Sequence, residues 1–215
     1  MLSIKDLEIS YKNTSVIKGL NLEIKEGEII GILGKNGAGK TTLFNALYQN
    51  INYHGESTYR DIPISRKNVS FLETENYFYP YMTGEEYLSF FLQKGYIKNF
   101  KNLIDKFDLP LNKFVQNYST GMKKKLALIG TILLDKPINI LDEPFNGMDF
   151  EGVHTVYEVI KDMKSNHKIV LISSHIIETL FNTCDKIAVL QNGMIEKIIE
   201  KKDFNKENAT FVTKI

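Results

Sequence analysis

Apolar and polar residues alternate over residues 2–10 and again over 20–25. This period of two predicts half-exposed strands, with Asn13, Thr14 and Ser15 as turn residues between them. Residues 28–33 are mostly apolar and read as a buried strand, and 40–48 read as the helix that follows. Residues 50–61 are polar and turn-rich, and 69–72 suit another short strand. From 83 to 135 the period lengthens. Tyr87, Leu88, Phe90, Phe91 and Leu92 recur at helical spacing, as do Leu103, Ile104 and Phe107, and then Leu126, Leu128, Ile129, Ile132 and Leu133. Pro110 breaks the middle of this stretch, and the last helix is predicted to start near Lys123. After residue 136, short apolar strands (138–141, 169–172, 187–190) alternate with helices (153–163, 176–181), and an Asn192-Gly193 turn closes the last strand. The alternation predicts an α/β fold with a mainly parallel sheet. Residues 1–82 and 136–200 are expected to form the α/β core, 83–135 an inserted helical subdomain, and 201–215 a short peripheral tail.

Composition narrows the partners. A net charge of +1 gives no reason to expect nucleic acid held by general electrostatics. The positive charge is nearly all lysine, Arg60 and Arg66 being the only arginines, which leaves little capacity for bidentate base or phosphate recognition. A single cysteine, Cys184, excludes an internal disulfide and suits a reducing compartment. No apolar run approaches the roughly 18 residues that a spanning helix needs. The N-terminal segment alternates like a strand rather than like a signal peptide. A cytoplasmic protein without direct membrane insertion is expected, and its richness in lysine, asparagine and isoleucine suggests a bacterial source with an A·T-rich genome.

The strongest chemical signal is Gly34-Lys35-Asn36-Gly37-Ala38-Gly39-Lys40-Thr41, of the form G-x-x-x-x-G-K-T, set between a predicted strand and a predicted helix. Glycines let backbone N–H groups close around a phosphate chain, the lysine reaches the outer phosphates, and the threonine hydroxyl can hold Mg²⁺. A second anchor is Ile138-Asn139-Ile140-Leu141-Asp142-Glu143, a buried strand ending in two acids at the edge where such sheets bind ligands. Asp142 can support Mg²⁺, directly or through water, and Glu143 can polarise the attacking water as a base or an orienting group. His175 follows another apolar strand and is placed to reach a terminal phosphate. His54, His154 and His167 lack such context and are assigned to the surface.

With these anchors the chain resembles the nucleotide-binding subunits of ABC transporters, over residues 2 to about 200. The resemblance implies a P-loop NTPase core of ABC ATPase type, with an N-terminal antiparallel β element and an inserted helical subdomain. It implies ATP and Mg²⁺ as cofactors. Gly34, Asn36, Gly37, Ala38, Gly39, Lys40, Thr41 and Thr42 match the Walker A loop, Asp142 the Walker B aspartate, Glu143 the catalytic glutamate and His175 the switch histidine. Tyr11 lies where the family stacks an aromatic on adenine. Tyr118-Ser119-Thr120-Gly121-Met122 takes the place of the signature sequence, keeping Ser119 and Gly121, whereas Thr120 and Met122 depart from it. Asp149 belongs to the loop that meets the other monomer. Thr74 aligns with the glutamine of the loop joining core and helical subdomain, a substitution that puts its metal-binding role in doubt. Glu73 and Glu75 are the neighbouring substitutes.

The resemblance further implies a head-to-tail dimer of two such subunits, most simply identical, closing around two ATP molecules. Hydrolysis would then drive transport through a separate transmembrane permease, with this subunit peripheral on the cytoplasmic face of the membrane. The Tyr79-Pro80-Tyr81-Met82-Thr83 run resembles exporter-type subunits; an importer subunit is the alternative. A soluble ABC ATPase acting on ribosomes or DNA is a further alternative. It is disfavoured by the single domain and by the lack of a heptad array between Lys40 and Asp142.

Overall fold

The computed structural model describes residues 1–12, 14–92 and 97–204; Asn13 and the tail beyond 204, assigned above to a turn and a peripheral element, lie outside them. In chain order the strands are β1 (Leu2–Tyr11), β2 (Thr14–Ile24), β3 (Ile29–Leu33), β4 (His54–Tyr59), β5 (Ile62–Pro63), β6 (Val69–Leu72), β7 (Ile138–Asp142), β8 (Ile169–Ser173), β9 (Lys186–Gln191) and β10 (Met194–Glu200). The helices are α1 (Lys40–Leu47), α2 (Gly84–Ser89), α3 (Ile97–Phe107), α4 (Thr120–Leu133), α5 (Phe150–Ser165) and α6 (Ile177–Thr183).

β10-β9-β3-β8-β7-β6 form the larger sheet. Its inner pairings are parallel and β10 is antiparallel to β9. β3, β7 and β8 are buried along their whole length, which is why they read as mainly apolar runs, with Asn139 the polar exception inside β7. Their side chains still divide by face. Ile30, Ile32, Ile140 and Leu171 face a core shared with α1 and the antiparallel sheet β2-β1-β4-β5, whereas Ile29, Leu33, Leu141 and Ile172 join a core with α4, α5 and α6. The second core also takes in Leu88, Phe107 and Val115, so the helical stretch shares it with the sheet.

The structure departs from the sequence reading at several boundaries. Thr14 and Ser15 belong to β2, paired with Tyr11 and Ser10, and are not turn residues. The polar segment 50–61 contains β4, which reads as turn because only Ser57 in it is buried while its backbone pairs with β1. β10 follows the Asn192-Gly193 turn as a largely exposed strand. α4 starts at Thr120, three residues before the predicted Lys123, because the Ser119 hydroxyl accepts the Met122 N–H and caps the helix there. Thr83 and Glu86 form a reciprocal capping box at the start of α2.

Candidate functional site

The parallel strands end together at the edge of the sheet where α1 begins, and this convergence assembles the site. Gly39 caps α1 in the left-handed region, φ +105°, a conformation that side chains resist; a Cβ there would also meet Ile17 Cδ1 at 2.9 Å. The turn brings Lys40 inward, and it is buried despite its charge. Its ammonium donates to the carbonyls of Gly34 at 2.6 Å and Lys35 at 3.1 Å. Burial pushes the Lys40 pKa below its ordinary value, opposed by the negative charges of Glu143 and Asp142.

Asp142 ends β7 and is only 1% exposed. Its Oδ2 accepts from Thr41 Oγ1 and from Thr74 Oγ1, each at 2.8 Å, while Oδ1 accepts from the Ser173 hydroxyl. Parallel pairing of β7 with β8 puts Asp142 directly opposite Ser173. The same Ser173 oxygen accepts the Glu143 N–H at 2.9 Å. Glu143 adopts φ +49°, an uncommon conformation for a non-glycine residue. Its Oε2 accepts from His175 Nδ1–H at 2.9 Å, since a carboxylate oxygen can only accept.

A cavity of about 570 Å³ is lined by Asn36, Gly37, Gly39, Lys40, Thr41, Thr42, Thr74, Asp142, Glu143 and His175, together with Val16 and Asn146. Most of the predicted site residues therefore meet. Ala38 lines an adjoining cavity of about 430 Å³ beside Ser15 and Asn192, and Gly34 contributes the carbonyl to Lys40.

Besides Gly34, four predicted residues line neither cavity. Tyr11 is half-exposed at the end of β1. Ser119 caps α4. Gly121 has a reason within the chain: a Cβ there would lie 2.5 Å from the Gly147 carbonyl, so the turn after β7 packs directly on its backbone. Asp149 caps α5, accepting from Gly152 N–H at 2.9 Å and from Lys125 at 3.3 Å, and the Gly152 bond followed by the Lys125 charge lowers its pKa.

The donor set fits Mg²⁺, a hard cation that keeps several waters and takes few protein oxygens. Thr41, Thr74 and Asp142 supply two hydroxyls and a carboxylate converging at one point. Among the described residues no group of three or more His, Cys, Asp or Glu side chains could hold a metal by itself.

Two residues of the site escaped the sequence reading. Ser173 was legible only as a polar end to an apolar strand; its contacts depend on the β7–β8 register. Lys124 lies on the buried stripe of α4 between Gly121 and Leu128, where a lysine is out of pattern. Its ammonium donates to the carbonyls of Glu73, Thr74 and Asp142. Burial pushes its pKa down to about 8, against the opposing charges of Asp142 and Glu143.

On the metal-supporting role expected of Asp142 in an ATPase, Ser173→Ala should lower ATP turnover about 10-fold or more, in the range for losing a residue that orients metal ligands. The lost hydroxyl should also cost about 1–3 kcal/mol of stability. Steady-state hydrolysis and urea unfolding check both, and unchanged turnover in a folded variant would remove Ser173 from the site.

Comparison with known proteins identifies the family and the fold. The family model described as ABC transporter matches residues 17–146. A Bacillus subtilis protein provisionally named as the ABC transporter ATP-binding protein AlbC is 32% identical, over 96% of this chain and 96% of its own length. The ABC transporter ATP-binding protein NatA of the same organism is 29% identical, over 95% of this chain and 92% of its own. The solved structure of an ATP-binding subunit of an ABC transporter superposes with a TM-score of 0.88 at 26% identity, covering 97% of this chain and 93% of that one. The dimeric bacterial ABC transporter cassette MJ0796 shares the fold, with a TM-score of 0.83 at 21% identity and coverage of 95% and 100%.

Proposed function

The chain belongs to the ABC transporter family of ATP-binding proteins, and from that premise we propose that it is the Mg²⁺-dependent ATPase subunit of a transporter, closing head to tail with a second copy around two ATP molecules and driving export through a separate permease. The observation that carries the reading is the meeting of Lys40, Thr41, Asp142, Glu143 and His175 in one cavity. Lys40 binds and neutralises the outer phosphates. Asp142 and Thr41 hold the metal, which supplies further neutralisation of phosphate charge when bound. Glu143 takes the proton of the attacking water, and His175 fixes the Glu143 carboxylate through Nδ1–H.

Ser119 and Gly121 do not line their own chain's cavity, which fits a site completed by a second copy. The N-terminus of α4 suits an anion brought by that copy. Tyr77, Tyr79 and Tyr81 are 76%, 63% and 72% exposed. Three large exposed aromatics on one segment suit a protein partner, here the permease. Among the described residues no helix is long and apolar enough to cross a membrane. Export is read from the overall pattern, above all the Tyr79–Thr83 run.

Mass spectrometry of what co-purifies from detergent-solubilised native membranes tests this reading. A stoichiometric multi-span membrane protein is expected, and its identity gives cargo and direction. Recovery with ribosomal or DNA-associated proteins instead would keep the ATPase chemistry and overturn transport.

A further inference from the structure

Lys124 is 4% exposed and carries its charge into the protein interior. No carboxylate lies within ion-pair distance of it among the described residues. Burying an unpaired ammonium is costly unless its donors are satisfied. Here all three are: Glu73 O at 2.7 Å, Thr74 O at 3.0 Å and Asp142 O at 3.2 Å. An ammonium is the side-chain group with three donors on one atom, which matches three converging carbonyls.

Those carbonyls come from two separate places, the segment after β6 and the end of β7. Thr74 and Asp142 are also the residues whose hydroxyl and carboxylate meet at 2.8 Å in the cavity. Lys124 thus binds the backbones of both partners without itself lining the cavity. It does so from the second turn of α4, whose first turn carries the Ser119 cap and Gly121. Displacing that end of α4 pulls on the peptides that fix the Thr74–Asp142 pair.

We propose that Lys124 is a positioning residue: its ammonium holds the Thr74 and Asp142 backbones in the spacing that lets their side chains act on the metal, and so ties the state of that pair to the position of helix α4. The inference rests on the assignment of Asp142 to metal support.

The test compares Lys124→Met, which keeps the stem and removes the donors, with Lys124→Gln, whose amide keeps two donors. Binding of Mn²⁺ with a non-hydrolysable ATP analogue is followed by electron paramagnetic resonance, alongside kcat and KM for ATP and thermal unfolding. Loss of support for metal ligands weakens metal affinity or activity about 10- to 100-fold. Lys124→Met should therefore weaken Mn²⁺ binding and lower kcat within that range while KM for ATP changes little. Lys124→Gln should recover part of both. If Lys124→Met does not fold, Lys124→Gln must show the same split on a smaller scale.

Lowered thermal stability with Mn²⁺ binding and kcat per folded molecule unchanged would overturn the proposal, as would a change confined to KM. Asp142→Asn is the control. If it binds Mn²⁺ normally, the assignment of the metal site itself fails. If it loses Mn²⁺ while Lys124→Met and Lys124→Gln do not, the role of Lys124 alone fails.

Discussion

Glu143→Gln is expected to accumulate as an ATP-bound dimer whose turnover falls roughly 100- to 10,000-fold, the range for losing a positioned general base. The substitution is close to isosteric. The Ser173 oxygen still accepts the residue 143 N–H, and a glutamine carbonyl still accepts from His175 Nδ1–H, so the local geometry persists. On the proposed mechanism, what disappears is the carboxylate that takes the proton from water. The phosphate contacts assigned to Lys40 and the loop remain, so ATP binding should be retained and the step that releases the dimer blocked. Size-exclusion chromatography with and without ATP, paired with phosphate release, reads both effects. Wild-type turnover with no retained dimer would reject the role assigned to Glu143.

Lys40→Ala should abolish nucleotide-induced effects while leaving the fold nearly as stable. Removing one charged donor to a phosphate or oxyanion costs about 100- to 1,000-fold in turnover, and here the loss extends to binding. The stability side is separable. Burial disfavours the charged form of Lys40 and lowers its pKa, so its removal relieves a desolvation cost while giving up two bonds to carbonyls. These effects oppose each other, and the net change without ATP should stay within about 1 kcal/mol. Thermal scans should show a similar melting temperature for both proteins without ATP and an ATP-dependent rise only in the wild type. An ATP-dependent rise and turnover equal to wild type in Lys40→Ala would refute its phosphate role.

Much of the site was legible because its chemistry is local. The Gly34–Thr41 loop carries its own geometry in its glycines, and an apolar strand running into Asp142-Glu143 places those acids at a strand end whatever lies beside it. Strands buried on both faces read plainly for the same reason: β3, β7 and β8 are buried throughout and apolar except at Asn139, Asp142 and Ser173. β4 did not, because an exposed edge is held by backbone pairing with β1 and leaves little trace in side-chain pattern. The start of α4 was misplaced by three residues because a serine cap and a tolerant first turn look alike until the Ser119–Met122 bond is seen.

The sequence by itself determined the phosphate loop, the paired acids, the histidine and the α/β alternation, since each depends on residues adjacent in the chain or on a repeating period. Only the tertiary structure decided that Ser173 bridges Asp142 and Glu143, that Thr74 shares an oxygen of Asp142 with Thr41, and that Lys124 binds the Thr74 and Asp142 backbones. Thr41 and Asp142 are 101 positions apart, Thr74 and Asp142 are 68, and Ser173 and Asp142 are 31. Contacts of that range are set by strand register and helix packing, which bring distant residues together without leaving a periodic mark on any one of them.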